Sequence, residues 1–176
     1  GVEASAAVLI VSVYQLVLVM TLLPLSALGS RIGLKRMYQY GQCVFIGSAL
    51  LCFLAPSLPL LLAARTLQAL GAAAVLSVAS ALVRSVYPGK QLGRGLGINS
   101  IIVASSAALA PILGGFIAAA VSWHWVFVAT VPLGVLSLLV GQRSLPDVPP
   151  QSESVSLLGA LLCALTFGLI ISGLLA

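Results

Sequence analysis

The chain has 176 residues, 61% hydrophobic and only 6% charged, with 8 Lys+Arg against 3 Asp+Glu and a net charge of +5. A soluble domain carries roughly a quarter charged residues, so a water-soluble fold is close to excluded: no polar shell exists to cover this much apolar surface. Disorder fails for the opposite reason, because it requires low hydrophobicity and high charge, which leaves an all-α polytopic membrane protein.

A spanning helix needs about 20 mostly apolar residues. The first uncharged stretch lies between Glu3 and Arg31 and predicts a helix over about 5–28. After Arg36 the next run is broken by Pro56 and Pro59, a turn signal, giving helices over about 38–55 and 60–83. No formal charge occurs between Arg94 and Arg143; that run is too long for one crossing and is interrupted at 121–125, so it holds helices over about 98–121 and 126–140. A polar, proline-rich stretch then precedes a sixth run over 155–176. The expected organisation is one partial transmembrane domain with short loops, antiparallel neighbours and no soluble domain. With no signal-peptide pattern at its start, the chain reads as a segment of a longer protein.

Basic residues fix the expected orientation. Arg31, Lys35 and Arg36, then Arg84, Lys90 and Arg94, then Arg143 occupy alternate connections, and such connections face the cytoplasm. The chain is therefore expected in the cell (inner or plasma) membrane with its basic loops inside. Trp123 and Trp125 then fall outside, at the level of an aromatic belt. The positive charge does not point to nucleic acid, since aromatic and basic residues do not interleave and no such motif occurs. Cys43, Cys52 and Cys163 have neither disulfide nor metal spacing and read as packing residues. His124 has no second ligand type beside it, so no metal site is expected.

Arg65 breaks the pattern, because it lies inside the third helix. An embedded Arg costs about 2.5–3.5 kcal/mol on insertion scales and tends to face a bundle interior or aqueous cavity. It sits about 9 Å past Pro59 at 1.5 Å per residue. Two readings are open: a side chain that snorkels to the headgroups, or one that faces a cavity. Gln68, at i+3 on the same face, favours the cavity. Ser12 and Gln15 of the first helix are further candidate lining residues.

Small residues form a stripe beside that face, at Ala69, Ala73, Ser77 and Ser80, and another on the fourth helix, at Ala104, Ala108, Pro111, Gly115 and Ala118. Such stripes let backbones approach closely in lipid. Pro111 also removes a main-chain donor and kinks its helix, so plain packing and a hinge both remain open. Around Gly33, which permits the positive φ of a tight reversal, Arg31, Lys35 and Arg36 read either as a topology signal touching anionic lipid or as part of a gate. No Asp, Glu or Lys lies in an expected helix core, so the segment offers no obvious proton-carrying carboxylate. No nucleophile with its base and no phosphate cradle is present, and an enzyme is not expected.

Four segments together resemble the major facilitator superfamily, in particular its 14-helix drug:proton antiporters. The loop motif G-x-L-a-D-r-x-G-r-K/R is similar to Ser26-Ala27-Leu28-Gly29-Ser30-Arg31-Ile32-Gly33-Leu34-Lys35-Arg36. The R-x-x-Q-G-x-G-a-a motif resembles Arg65-Thr66-Leu67-Gln68-Ala69-Leu70-Gly71-Ala72-Ala73. The antiporter motif g-x-x-x-G-P-x-x-G-G resembles 106–115, with Ala110-Pro111-Ile112-Leu113-Gly114-Gly115 at its core, and 123–134 is similar to the W-R-W-x-F-x-x-N-x-P-x-G stretch that follows it. The resemblance runs from the family's second helix to its seventh. It implies a truncated major-facilitator bundle of six transmembrane helices. It further implies a secondary active transporter that exports small hydrophobic or cationic compounds by alternating access, powered by the proton gradient and needing no cofactor.

By this resemblance Arg65 takes part in proton coupling with support from Gln68. Ser30, Arg31, Gly33, Lys35 and Arg36 belong to a cytoplasmic gate; Ala110, Pro111, Gly114 and Gly115 belong to a kinked, closely packed helix. The implied partners are the lipid bilayer, a small-molecule substrate and the remaining helices of the full-length transporter. Ser30 stands where the motif has an acid, and Ser26, Ala69 and Ala110 stand where it has glycine. An uptake symporter of the same superfamily and a non-transporting membrane assembly subunit are the alternatives.

Overall fold

The computed structural model describes residues 4–87 and 89–147, together with residues 159, 162, 166 and 173. Its elements are α1 (Ala4–Ile32), α2 (Leu34–Leu54), α3 (Leu58–Val86), a 3-10 turn (Gly89–Gln91), α4 (Leu92–Ala120), α5 (Trp125–Val128) and α6 (Thr130–Ser144). Among the described residues five stretches are long and apolar enough to cross a membrane: Val8–Ile32, Leu34–Leu54, Leu58–Val86, Gly89–Ala120 and Trp125–Ser144. The sixth expected span, over 155–176, lies outside the described residues but for those isolated positions. No strand occurs among the described residues. In hydrocarbon every backbone N–H and C=O must be satisfied within the segment, and a helix does this alone.

Helix ends differ from the sequence expectation for identifiable reasons. α1 continues to Ile32 and α2 starts at Leu34, because the charged residues there end in water and stay helical. The helices part only at Gly33, whose φ of 100° and ψ of 136° fall where an L side chain is strained. α3 starts at Leu58, one residue ahead of Pro59; a first-turn proline lacks only an N–H that the helix does not use. Beyond the 121–125 interruption, the expected single helix is divided into α5 and α6 at Ala129. Pro132 cannot donate to the carbonyl of Val128, which removes the bond that would have joined them.

α3 is the central element. It packs most extensively on α2 and next on α1, while α2 also carries α6 and α5. At the basic end Met37, Ala74, Val78 and Leu82 form one buried cluster, flanked by Leu25, Ile32, Tyr38 and Leu145. At the opposite, aromatic end Cys52, Ala55, Leu61 and Ala64 form a second, flanked by Ile10 and Phe127. Since lipid tails are as apolar as leucine, these contacts hold by close packing rather than by escape from water.

Between the clusters the backbones of α2 and α3 touch. A Cβ on Gly71 would lie 2.6 Å from the Phe45 nitrogen and 2.9 Å from the Gly41 carbonyl oxygen, and one on Gly41 would lie 2.8 Å from the Ala74 Cβ. The α3 stripe is buried at Ala69 and Ala73. The α4 stripe is different: Ala104, Ala108, Pro111, Gly115 and Ala118 are all exposed, and among the described elements α4 packs on α3, α5 and the 3-10 turn far less extensively than α3 packs on α2.

Gly71→Ala is expected to destabilise the full-length protein by about 1–3 kcal/mol through overpacking, read as a lower melting temperature in detergent. Gly47→Ala, where a Cβ meets nothing within 4 Å, is expected to hold or raise it.

Candidate functional site

Near the aromatic end of α3, Arg65 and Gln68 come one turn apart on the face turned towards α1 and α5. Arg65 Nη1 donates to Gln68 Oε1 at 2.6 Å. Gln68 is 2% exposed, and the Cys52 thiol approaches the same oxygen at 3.9 Å. The guanidinium lies over two rings, with its Cζ 4.6 Å from the centroid of Tyr14 on α1 and 5.2 Å from that of Phe127 on α5. Such cation–π contacts contribute about 0.5–1 kcal/mol when exposed and about 2 or more when desolvated. The amide and the rings hold the side chain between the helices instead of along the helix towards the headgroups. Arg65 Nε is buried and has no hydrogen-bond partner among the described residues.

Beside this group lies a cavity of about 370 Å³, lined by Ile10, Val11 and Tyr14 of α1, Phe45 of α2, Leu61, Arg65 and Gln68 of α3, and Trp123, Val126, Phe127 and Thr130 from the chain around α5. Ser12 and Gln15 do not line it; Tyr14, between them in sequence, does. Around the mouth the rings interlock. Trp123 stacks on His124 with centroids 3.6 Å apart, Phe53 meets Trp125 edge-on at 5.5 Å, and Trp123 meets Phe127 edge-on at 6.1 Å. Among the described residues no group of three His, Cys, Asp or Glu side chains is placed to hold a metal ion. The cavity offers one fixed positive charge, one amide and aromatic walls: it can bind and orient, and it holds no nucleophile–base pair.

The other sequence-derived residues lie elsewhere. Ser30 Oγ donates to the Ala27 carbonyl at 2.8 Å, closing the last turn of α1. Lys35 Nζ stands 3.6 Å from Asp147 Oδ1, which ties the start of α2 to the chain just past α6. Arg31 and Arg36 are exposed on either side of Gly33. Ala110, Pro111 and Gly115 are exposed on α4, and a Cβ on Gly114 would meet only Val126, at 3.8 Å. Arg65 and Gln68 alone among the expected site residues share the cavity. Sequence reasoning missed Tyr14, Phe127 and Asp147. The two rings carried a faint signal, as aromatics set within runs of Val, Leu and Ala.

The sequence pattern of the Major Facilitator Superfamily matches residues 1–176, and the chain belongs to that family. It is 42% identical over 172 residues to the uncharacterized transporter YebQ of Escherichia coli (strain K12), covering 97% of this chain and 38% of that protein. It is 34% identical to the methylenomycin A resistance protein of Streptomyces coelicolor, covering 92% of this chain and 35% of that protein. To multidrug resistance protein 3 of Bacillus subtilis it is 33% identical, covering 73% of this chain and 25% of that protein. The chain thus spans well under half the length of these relatives. Its five long, apolar helices among the described residues suit a chain of this family of membrane transporters.

Gln68→Leu leaves the Arg65 guanidinium without its amide acceptor and is expected to cost about 1.5–3 kcal/mol, the range for hydrogen bonds to charged groups. Thermal unfolding of the full-length protein in detergent measures this, and Gln68→Glu, which keeps an acceptor oxygen, is expected to lose less.

Proposed function

We propose that the protein containing this chain is a proton-driven exporter of small hydrophobic or cationic molecules. The observation that carries the reading is the Arg65 guanidinium, kept inside an apolar spanning bundle by Gln68 and two aromatic rings. An embedded charge of this kind is costly and marks a transport pathway or coupling site. A guanidinium does not release its proton, so Arg65 is the fixed charge and the moving proton travels on a group elsewhere in the full-length protein. Gln68 holds the fork in place. The resistance proteins among the relatives support export over uptake.

In this reading the protein sits in the cell membrane with its basic end in the cytoplasm, and the proton gradient is its energy source, with no cofactor. Transport is alternating access, one bundle rocking against another around a midplane site. Ser30, Arg31, Gly33, Lys35 and Arg36 belong to the cytoplasmic gate. Ala110, Pro111, Gly114 and Gly115 form a kinked face on α4 against which the remaining helices pack. The partners are the bilayer, the small-molecule substrate and those helices.

Arg65→Ala in the full-length protein is expected to reduce gradient-driven efflux from inverted membrane vesicles by about tenfold or more, a loss worth about 1.4 kcal/mol. Arg65→Lys is expected to restore only part of it, because an ammonium lacks the planar fork. Unchanged efflux in Arg65→Ala would leave the protein a membrane subunit with no coupling role for this residue.

A further inference from the structure

We infer that His124 is a positioning residue for the cavity wall: its charge decides how firmly Trp123 is held, so that acid tightens the mouth of the cavity and alkali loosens it. This rests on the reading that the cavity receives small molecules, and it adds a control on their exchange.

The geometry comes first. Trp123 belongs to two arrangements at once. It lines the cavity, and its indole stacks on the His124 imidazole with centroids 3.6 Å apart and planes 30° from parallel. Phe53 of α2 meets the same imidazole at 6.5 Å with the two planes at 89°. His124 therefore joins a wall of the cavity to α2, a helix held by its close contact with α3. The imidazole makes no capping bond to α5, so its hold on the surroundings runs through these rings. Trp123 is 38% exposed, a wall that borders on the outside and is not locked in a core.

The chemistry follows from the imidazole. It is the side chain type whose charge changes between about pH 5 and 8. When neutral, it and the indole are two flat rings in contact. When protonated, it is a cation on the face of an indole, the ring that binds cations best. The added attraction is worth about two- to fivefold in an equilibrium constant, the scale of an exposed cation–π contact. A firmer stack keeps the indole in the wall for longer, and a molecule inside the cavity leaves more slowly.

The other ionisable groups around His124 do not supply this response. Arg65 of α3 and Tyr14 of α1 line the same cavity, and Cys52 of α2 is turned to the Gln68 oxygen. Arginine, tyrosine and cysteine side chains ordinarily keep their protons below about pH 8, so Arg65 is a charge of constant sign across the range. Residues 112–120 of α4 and 130–137 of α6 carry no titratable side chain.

The test uses the full-length protein purified in detergent and N-phenyl-1-naphthylamine, an apolar probe that stays uncharged over this range. Trp123 fluorescence, taken as wild type minus Trp123→Phe, is expected to fall on acidification, because an imidazolium quenches an indole it touches. Probe release is expected to be about two- to fivefold slower at about pH 5.5 than at about pH 8. His124→Arg, charged at both values, is expected to release slowly at both. His124→Gln, neutral at both, is expected to release quickly at both, and retained probe binding shows that each variant is folded. The inference is overturned if wild-type release or Trp123 fluorescence does not change with pH, or if either His124 variant keeps the wild-type pH dependence. It is also overturned if His124→Arg releases as fast as His124→Gln, or if the probe does not bind. Release that slows in acid, without gradient-driven efflux, would keep this inference and remove the exporter; efflux with release insensitive to pH would do the reverse.

Discussion

The contact between Arg65 and Gln68 is the constraint around which the rest of the structure is arranged. An isolated guanidinium within hydrocarbon is expensive, and here its cost is offset by three neighbours from three helices: the Gln68 oxygen at 2.6 Å on α3, the Tyr14 ring on α1 and the Phe127 ring on α5. These partners require α1 and α5 to stand on the same side of α3. They also require the mouth of the cavity to be walled by aromatic side chains, since aliphatic ones offer a cation nothing beyond contact area. The apolar lining and the single charge are therefore parts of one solution.

That solution depends on how closely α2 and α3 lie. The Gly41–Gly71 contact brings the two backbones together, and this sets Cys52 and Phe45 of α2 beside the Arg65 face of α3. Close packing gives rigidity where no hydrophobic drive operates between helices. The two buried clusters at the basic and aromatic ends sit on either side of this contact. α4 shares little of it, and its small residues face outwards.

Much of this was readable from the residues. Uncharged runs pointed to the five apolar helices among the described residues, and i+3 spacing put Gln68 beside Arg65, because both follow from local geometry. The rest depended on contacts that local geometry does not encode. Tyr14 and Phe127 reach Arg65 from distant parts of the chain, and no spacing rule links them; Ser12 and Gln15 are the polar candidates on α1, whereas the site recruits a ring. Lys35 finds Asp147 only once α2 and α6 lie side by side. The α5–α6 break could have been read from Pro132, whose missing donor falls opposite Val128, but the apolar run hid it. The α4 stripe was legible as a pattern, and its occupant was not.

One residue, Gly33, separates α1 from α2. With only Gly33 outside a helix there, the hairpin has no slack to absorb a displacement of either arm. A tilt of α2 turns α1 about a single pair of torsions, like two rods on one swivel pin. Tyr14, whose ring lies under the guanidinium, is carried by the arm that ends at this joint, so one continuous helix runs from the charged site to the basic end of the molecule.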